Sequence, residues 1–199
     1  DHKQYAEANL EAPYNKIAPR GLYITTDQPI SAYYQITHAN GEAYTLKGKN
    51  ALGTEFVVMS QTNFANYANY NGYVSHNNSI QIVATENNTT VTITPSNPVI
   101  QDDGSASDTP ITVTLQRGET YAVKSASTAA NKHLMGTRIV ASKPIAVTTS
   151  DDSVDSGAGQ DAVGEQIVPT DMAGTNYTVI PLTGTNSPNE YLYVLALNA

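Results

Sequence analysis

The chain has 199 residues, 40% of them apolar, enough to bury one large hydrophobic core or two small ones. Its formal net charge is −8, with only 10 Lys+Arg residues and no basic run, which argues against a phosphate-backbone footprint and against nucleic acid as a partner. Cysteine is absent, so neither disulfides nor a thiolate metal site nor a cysteine nucleophile is available.

No stretch approaches the ~20 apolar residues that span a bilayer, and the first residues lack a signal-peptide core, so any export signal or anchor is expected outside these residues. Charged residues make up 14% of the chain, against a usual value of roughly a quarter. With 13 Tyr, 2 Phe and no Trp, the polar, uncharged, Thr/Tyr-rich habit fits exposed β-sheet on a secreted or cell-surface module.

The first readable element is Gly21-Leu22-Tyr23-Ile24-Thr25-Thr26-Asp27-Gln28-Pro29-Ile30-Ser31-Ala32-Tyr33, which returns later as Gly136-Thr137-Arg138-Ile139-Val140-Ala141-Ser142-Lys143-Pro144-Ile145-Ala146-Val147-Thr148. Proline cannot donate to a ladder, so Pro29 and Pro144 predict bends between two strands. A strand is predicted over 55–60, and the phrase Gly53-Thr54-Glu55-Phe56-Val57-Val58 recurs as Gly174-Thr175-Asn176-Tyr177-Thr178-Val179. An Asn/Tyr-rich loop follows over 63–78.

Strands are then predicted over 80–85 and 89–94, with Asn87-Asn88 between them, and over 111–116 and 120–125, with Arg117-Gly118-Glu119 between them. Both pairs read as β-hairpins. Strict alternation is clearest in Thr90-Val91-Thr92-Ile93-Thr94 and Ile111-Thr112-Val113-Thr114-Leu115, with one face apolar and the other threonine. A loop spans 96–108 and a short turn lies near 127–134. Strands over 137–141 and 145–149 follow, then an acidic loop over 151–164. A third repeated pair closes the chain, Ile82-Val83-Ala84-Thr85-Glu86-Asn87 with Tyr193-Val194-Leu195-Ala196-Leu197-Asn198.

No window shows a capped helical pattern. The expected fold is all-β, an antiparallel β-sandwich or Greek-key barrel with an internal repeat and almost no helix. Residues 53–150 would form one complete unit. Residues 1–52 would hold the last strands of another unit plus a linker. Residues 151–199 would hold the acidic loop and the start of a second unit, completing the fold with 20–36.

Sites of chemistry are few. His2, His38, His76 and His133 are isolated in sequence and read as surface histidines without a role. There is no nucleophile elbow, P-loop or dinucleotide fingerprint, and no carboxylate pair is singled out, so no enzyme is expected. In the acidic tract, Asp151, Ser153 and Asp155 match alternating EF-hand ligand positions, but the glycine falls one place late and position twelve is Ala162. A calcium site outside that motif would draw on Asp151, Asp152, Asp155 and Asp161, and calcium is the only cofactor entertained. Tyr67, Asn69, Tyr70 and Tyr73 in the Asn/Tyr loop are the candidate ligand-binding residues, because tyrosine faces stack on sugars while asparagine amides bond hydroxyls.

The runs Ile82-Val83-Ala84-Thr85-Glu86-Asn87-Asn88-Thr89-Thr90-Val91-Thr92-Ile93 and Val113-Thr114-Leu115-Gln116-Arg117-Gly118-Glu119-Thr120-Tyr121-Ala122-Val123 resemble the family of IgG Fc-binding protein N-terminal domains. So do Leu134-Met135-Gly136-Thr137-Arg138-Ile139-Val140-Ala141-Ser142-Lys143-Pro144, Gly164-Glu165-Gln166-Ile167-Val168-Pro169 and Gly174-Thr175-Asn176-Tyr177. The resemblance covers roughly 20–199. It is similar to modules of large bacterial surface proteins, notably of the Bacteroidetes, and implies an extracellular adhesion or interaction module whose partner is a host glycoprotein, mucin or other surface protein. No residue here maps onto an Fc contact, so IgG Fc binding does not carry over.

Two readings result. One is a non-enzymatic adhesion or protein/glycan-interaction module on the outer surface of a bacterium. The other is a structural spacer or assembly module with no ligand of its own, in which Ile24, Ile30, Ile139 and Ile145 are core.

Overall fold

The computed structural model describes residues 13–36, 41–67, 69–70, 73–74, 77–155, 157, 159–180 and 191–197. Thirteen strands are present among the described residues: β1 (Ala32–Ile36), β2 (Glu42–Leu46), β3 (Gly53–Val57), β4 (Asn69–Tyr70), β5 (Tyr73–Val74), β6 (Asn78–Ala84), β7 (Thr89–Thr94), β8 (Val99–Ile100), β9 (Ala106–Ser107), β10 (Ile111–Leu115), β11 (Thr120–Lys124), β12 (Arg138–Asp155) and β13 (Gln160–Ile167). Three 3-10 turns, Gly48–Ala51, Ala130–Lys132 and Thr170–Met172, are the only helical pieces among the described residues. The fold is all-β and antiparallel, with a main sheet that curls into a nearly closed barrel.

That sheet has seven strands, in the order β10-β7-β12-β6-β11, with β3 and β13 also paired to β12. β12 organises it. Arg138–Ala141 pairs with β7 and, through Arg138–Val140, with β3; Ile145 and Ala146 pair with β6; Val147–Asp155 pairs with β13. Lys143-Pro144 falls at the change of partners, where the ladder to β3 breaks register between Val140 and Ile145. Proline is tolerated where the pairing is already interrupted. The two strands expected on either side of Pro144 are therefore one continuous strand of 18 residues.

The two expected hairpins are corrected. β6 and β7 do not pair with each other, nor do β10 and β11: β7 takes β10 and β6 takes β11. Each turn carries the chain across to a different ladder, and the two turns lie side by side. Arg117 N donates to Asn87 Oδ1 at 3.0 Å, Asn88 N to Gln116 Oε1 at 3.2 Å, and Gly118 N to the Ala84 carbonyl at 2.9 Å. Alternation fixes which face a residue occupies but not which strand it meets.

The faces themselves follow the alternation. Val91 and Ile93 are fully buried beside Ile82, Leu115, Ile139 and Ile145, each contributing about 1.5–3 kcal/mol of burial. Threonines of β7 and β10 meet on the outside, Thr92 Oγ1 lying 3.1 Å from Thr112 Oγ1. Thr120–Val123 of β11 are buried, and the segment around Tyr14–Gly21 covers the free edge of the strand. Asn15 N donates to the Ala122 carbonyl at 2.8 Å, and Thr120 N to the Ala18 carbonyl at 2.8 Å. Gly21 ends this strap, where an added Cβ would stand 2.5 Å from Val83 Cγ2 and 2.8 Å from the Gly118 carbonyl oxygen.

The β1–β2 hairpin packs on β13. Lys47 N donates to Gln166 Oε1 at 2.6 Å, and its ammonium pairs with Glu165. The repeated phrase has two fates: Ile139 and Ile145 are core, whereas Ile24 is 48% and Ile30 58% exposed. The expectation that all four are core is corrected for Ile24 and Ile30, which lie in irregular chain between Gly21 and β1. Among the described residues no ladder joins 22–36 to 176–180 or 191–197.

Candidate functional site

The Asn/Tyr loop and the acidic tract, expected to be separate features, meet in space. The tract is not a loop: Asp151–Asp155 ends β12, Gln160–Ile167 is β13, and the two form a hairpin with Val154 opposite Asp161 and Asp155 opposite Gln160. A bulge interrupts the pairing between Asp151 and Val154, with Ser153 at φ 51°. Such an extra residue re-aims the side chains around it. Asp151 and Ser153 are buried while Asp152 is exposed.

Asp151 is the hub. Its Oδ1 accepts from Asn66 Nδ2 at 2.8 Å, and its Oδ2 accepts from Gln61 Nε2 at 2.9 Å and lies 3.2 Å from His133 Nδ1. His133 Nδ1 is also 2.8 Å from the Gln61 carbonyl, so a proton there is shared between a carbonyl and a carboxylate. The expectation of a surface histidine is thereby corrected: His133 is 1% exposed. Burial works to lower its pKa, but the hydrogen bond and charge of Asp151, together with the backbones of Gln61 and Thr128, outweigh it and hold the imidazole above its ordinary 6.5. Nothing in the sequence around His133 announces this partner; only the fold brings it to Asp151.

The same hub pins the start of the Asn/Tyr loop. Gln61 Oε1 accepts from Asn63 N and Phe64 N at 2.9 and 2.8 Å. Asn66 Nδ2 also reaches the Asp152 carbonyl at 2.7 Å. Tyr67 N donates to the Ser153 carbonyl at 3.0 Å, and Asp155 N to the Ala65 carbonyl at 2.8 Å. Beyond Tyr67, which is half-buried, Asn69 and Tyr70 form β4 and Tyr73 begins β5, with Tyr70 directly opposite Tyr73. All four candidate ligand residues therefore sit on or at the base of one small hairpin. His2, His38 and His76 lie outside the described residues.

Beside the hub an open groove of about 210 Å³ is lined by Met59, Ser60, Asn78, Ser150, Val163 and Tyr193, among others. Ser150, one of the lining residues, is tied to β6, with Ser79 Oγ 2.8 Å from Ser150 Oγ and Gln81 Nε2 donating to both. No local motif singles out Ser79, Gln81 and Ser150, since they come from β6 and β12 and meet only through the fold.

As for a cation, the four aspartates do not converge. Asp151 is committed to Asn66, Gln61 and His133, while Asp155 Oδ1 accepts from Gly157 N and Asp161 Oδ1 from Ala162 N, each at 2.9 Å. Among the described residues no group of three or more His, Asp or Glu side chains is placed to hold a metal ion. The side chains bonded to the His133–Asp151 pair are amides, and the pair is sealed from solvent, so its geometry suits bracing.

A family model described as IgGFc binding protein matches residues 42–199, from the start of β2 onward. No curated protein and no solved structure matches the chain.

Proposed function

The chain belongs to the IgGFc binding protein family, and from that premise we propose that it is a non-enzymatic extracellular module of a bacterial surface protein that adheres to a host glycoprotein, mucin or another surface protein. The family is a binding-type domain and not a known enzyme family. The observation that carries the reading is the pinning of the Asn/Tyr hairpin. A buried carboxylate, an imidazole and two amides are committed to fixing its first turn, and a buried polar network of this kind favours one geometry over many. A loop held at its root and carrying Tyr67, Asn69, Tyr70 and Tyr73 offers stacking faces and amide bonds together, the chemistry that glycan and protein surfaces use.

The test is binding of the purified chain to immobilised mucin and to IgG Fc, with and without calcium, beside a variant carrying Tyr67→Ala, Tyr70→Ala and Tyr73→Ala. Saturable binding that the triple substitution abolishes supports the reading; absence of binding to both surfaces by folded protein favours the spacer reading instead.

A second reading, a spacer or assembly unit with no ligand of its own, is favoured by a separate observation. Tyr177 and Val179 are 75% and 60% exposed, although the residues they repeat, Phe56 and Val58, are completely buried.

A further inference from the structure

We propose that residues 21–31 form a docking strand for a second copy of this chain, which supplies its residues 174–179 as the partner, in the register that joins β12 to β3. The inference is independent of what the Asn/Tyr hairpin binds.

The repeat supplies the register. In the complete unit, Ile139 lies opposite Phe56, Arg138 opposite Val57 and Val140 opposite Glu55. Both strands of this pair have a second copy in the sequence. Ile24 stands where Ile139 stands and Tyr177 where Phe56 stands, so the equivalent ladder places Ile24 opposite Tyr177, Tyr23 opposite Thr178 and Thr25 opposite Asn176. Two segments that kept the sequence of a strand pair kept the pattern that fits one to the other.

Their exposure shows that this fit is unused within one copy. Phe56, Val58, Ile139 and Ile145 are completely buried, whereas their counterparts Tyr177, Val179, Ile24 and Ile30 are 75%, 60%, 48% and 58% exposed. The two segments also start from different parts of the sheet: Gly21 N donates to the Gly118 carbonyl in the turn before β11, and the Thr170–Met172 turn packs on β3. Among the described residues no ladder joins them within one copy, which leaves both edges open to another.

The chemistry of the two segments agrees. Asp27 is the single ionised side chain in 21–31, and 174–180 carries none, so a chain of net charge −8 approaches itself through its least charged surfaces. Each copy has one segment of each kind, so the contact is head-to-tail and repeats from copy to copy.

The absence of cysteine makes the register directly testable. Residues opposite each other in an antiparallel ladder have Cα atoms ~4.5–5.5 Å apart, within disulfide reach. Full-length Ile24→Cys protein is mixed with Tyr177→Cys protein under oxidised glutathione, and in parallel with Asn176→Cys protein, whose thiol points to the other face of the strand. All three positions used are exposed, and unchanged urea midpoints check that the variants remain folded. The expected result is a disulfide-linked heterodimer from Ile24→Cys with Tyr177→Cys and its loss with Asn176→Cys. Failure to form the heterodimer, or equal yield from both mixtures, overturns the proposal. A double variant Ile24→Cys/Tyr177→Cys that closes on itself as a monomer at every concentration overturns it too, by showing that the partner is the same copy.

Discussion

Asn66 and Asp151, 85 positions apart, are joined by a 2.8 Å hydrogen bond through which the root of a surface hairpin rests on a buried carboxylate. The carboxylate serves His133 and Gln61 at the same time, so the position of the hairpin and the stability of the barrel are tied to one side chain.

Asp151→Ala is expected to destabilise the protein by about 3–5 kcal/mol, because it leaves His133, Asn66 and Gln61 buried with their shared acceptor gone. Urea unfolding measures the loss. A change under 1 kcal/mol would show that the network carries no stability.

His133 gives that network a pH dependence. Its pKa is raised in the fold, Asp151 and the neighbouring carbonyls outweighing burial, so its contribution is fully present below about 6.5 and is lost as pH rises through the folded value. The stability difference between wild type and His133→Gln should therefore be constant at acid pH and shrink on the alkaline side of 6.5. A difference that stays flat from pH 5 to 9 contradicts this assignment.

The Tyr44 phenol offers a second titration, at the other end of the scale. Burial, reinforced by Tyr34 whose ring centroid is 5.5 Å away, pushes its pKa up to about 12. A raised value means the neutral phenol is the form the fold favours, so its stabilisation holds below 10 and fades as pH climbs through about 12. Spectrophotometric titration of wild type minus Tyr44→Phe should show a phenolate that appears well above 10 while the protein is folded; ionisation at 10 would contradict the packing of β2 on β13.

The two faces of β7 should respond unequally. Val91→Ala and Ile93→Ala, both at fully buried positions, are expected to cost about 1–4 kcal/mol each, and Thr92→Ala, on the outer face, much less. Equal costs from thermal or urea unfolding would reverse the assignment of faces.

Gly21→Ala should detach the strap from β11 without unfolding the barrel, since the new methyl would collide with Val83 and the Gly118 carbonyl. Limited proteolysis in the Tyr14–Gly21 region should accelerate while the barrel core resists; unchanged cleavage would place the strap's anchor elsewhere.

What the sequence made legible, and what it hid, divides along a physical line. Local alternation gave β7 its bounds, Thr89–Thr94, without error and gave the inward set Val91 and Ile93, because period two is a property of neighbouring residues. Partnering is not local. The turns at Asn87-Asn88 and Arg117-Gly118 looked like hairpins because a turn between two strands reads the same whether the strands pair or part. Pro144 looked like a boundary and is an interior residue of β12, sheltered by a change of partners. The acidic tract looked like a loop because Asp152 and Asp155 are charged, yet Asp151 turns inward to a histidine that sequence treats as solitary. Of the candidate site, the hairpin residues were visible in composition, while the brace beneath them, Gln61, Asn66 and His133, was not.

β12 also sets the order in which the barrel can be assembled. β6 with β11, and β7 with β10, are ribbons that can form from residues 78–124 alone, but among the described residues it is β12 that joins the two ribbons into one sheet. β3 pairs with β12 alone among the described residues and must wait for it as well. A chain emerging from its N-terminus therefore cannot close the sheet until Arg138 and the residues after it are available. Long-range closure of this kind is slow and leaves apolar strand faces uncovered meanwhile, so the burden of keeping the nascent chain from aggregating falls on whatever receives it before its eighteen-residue keystone arrives.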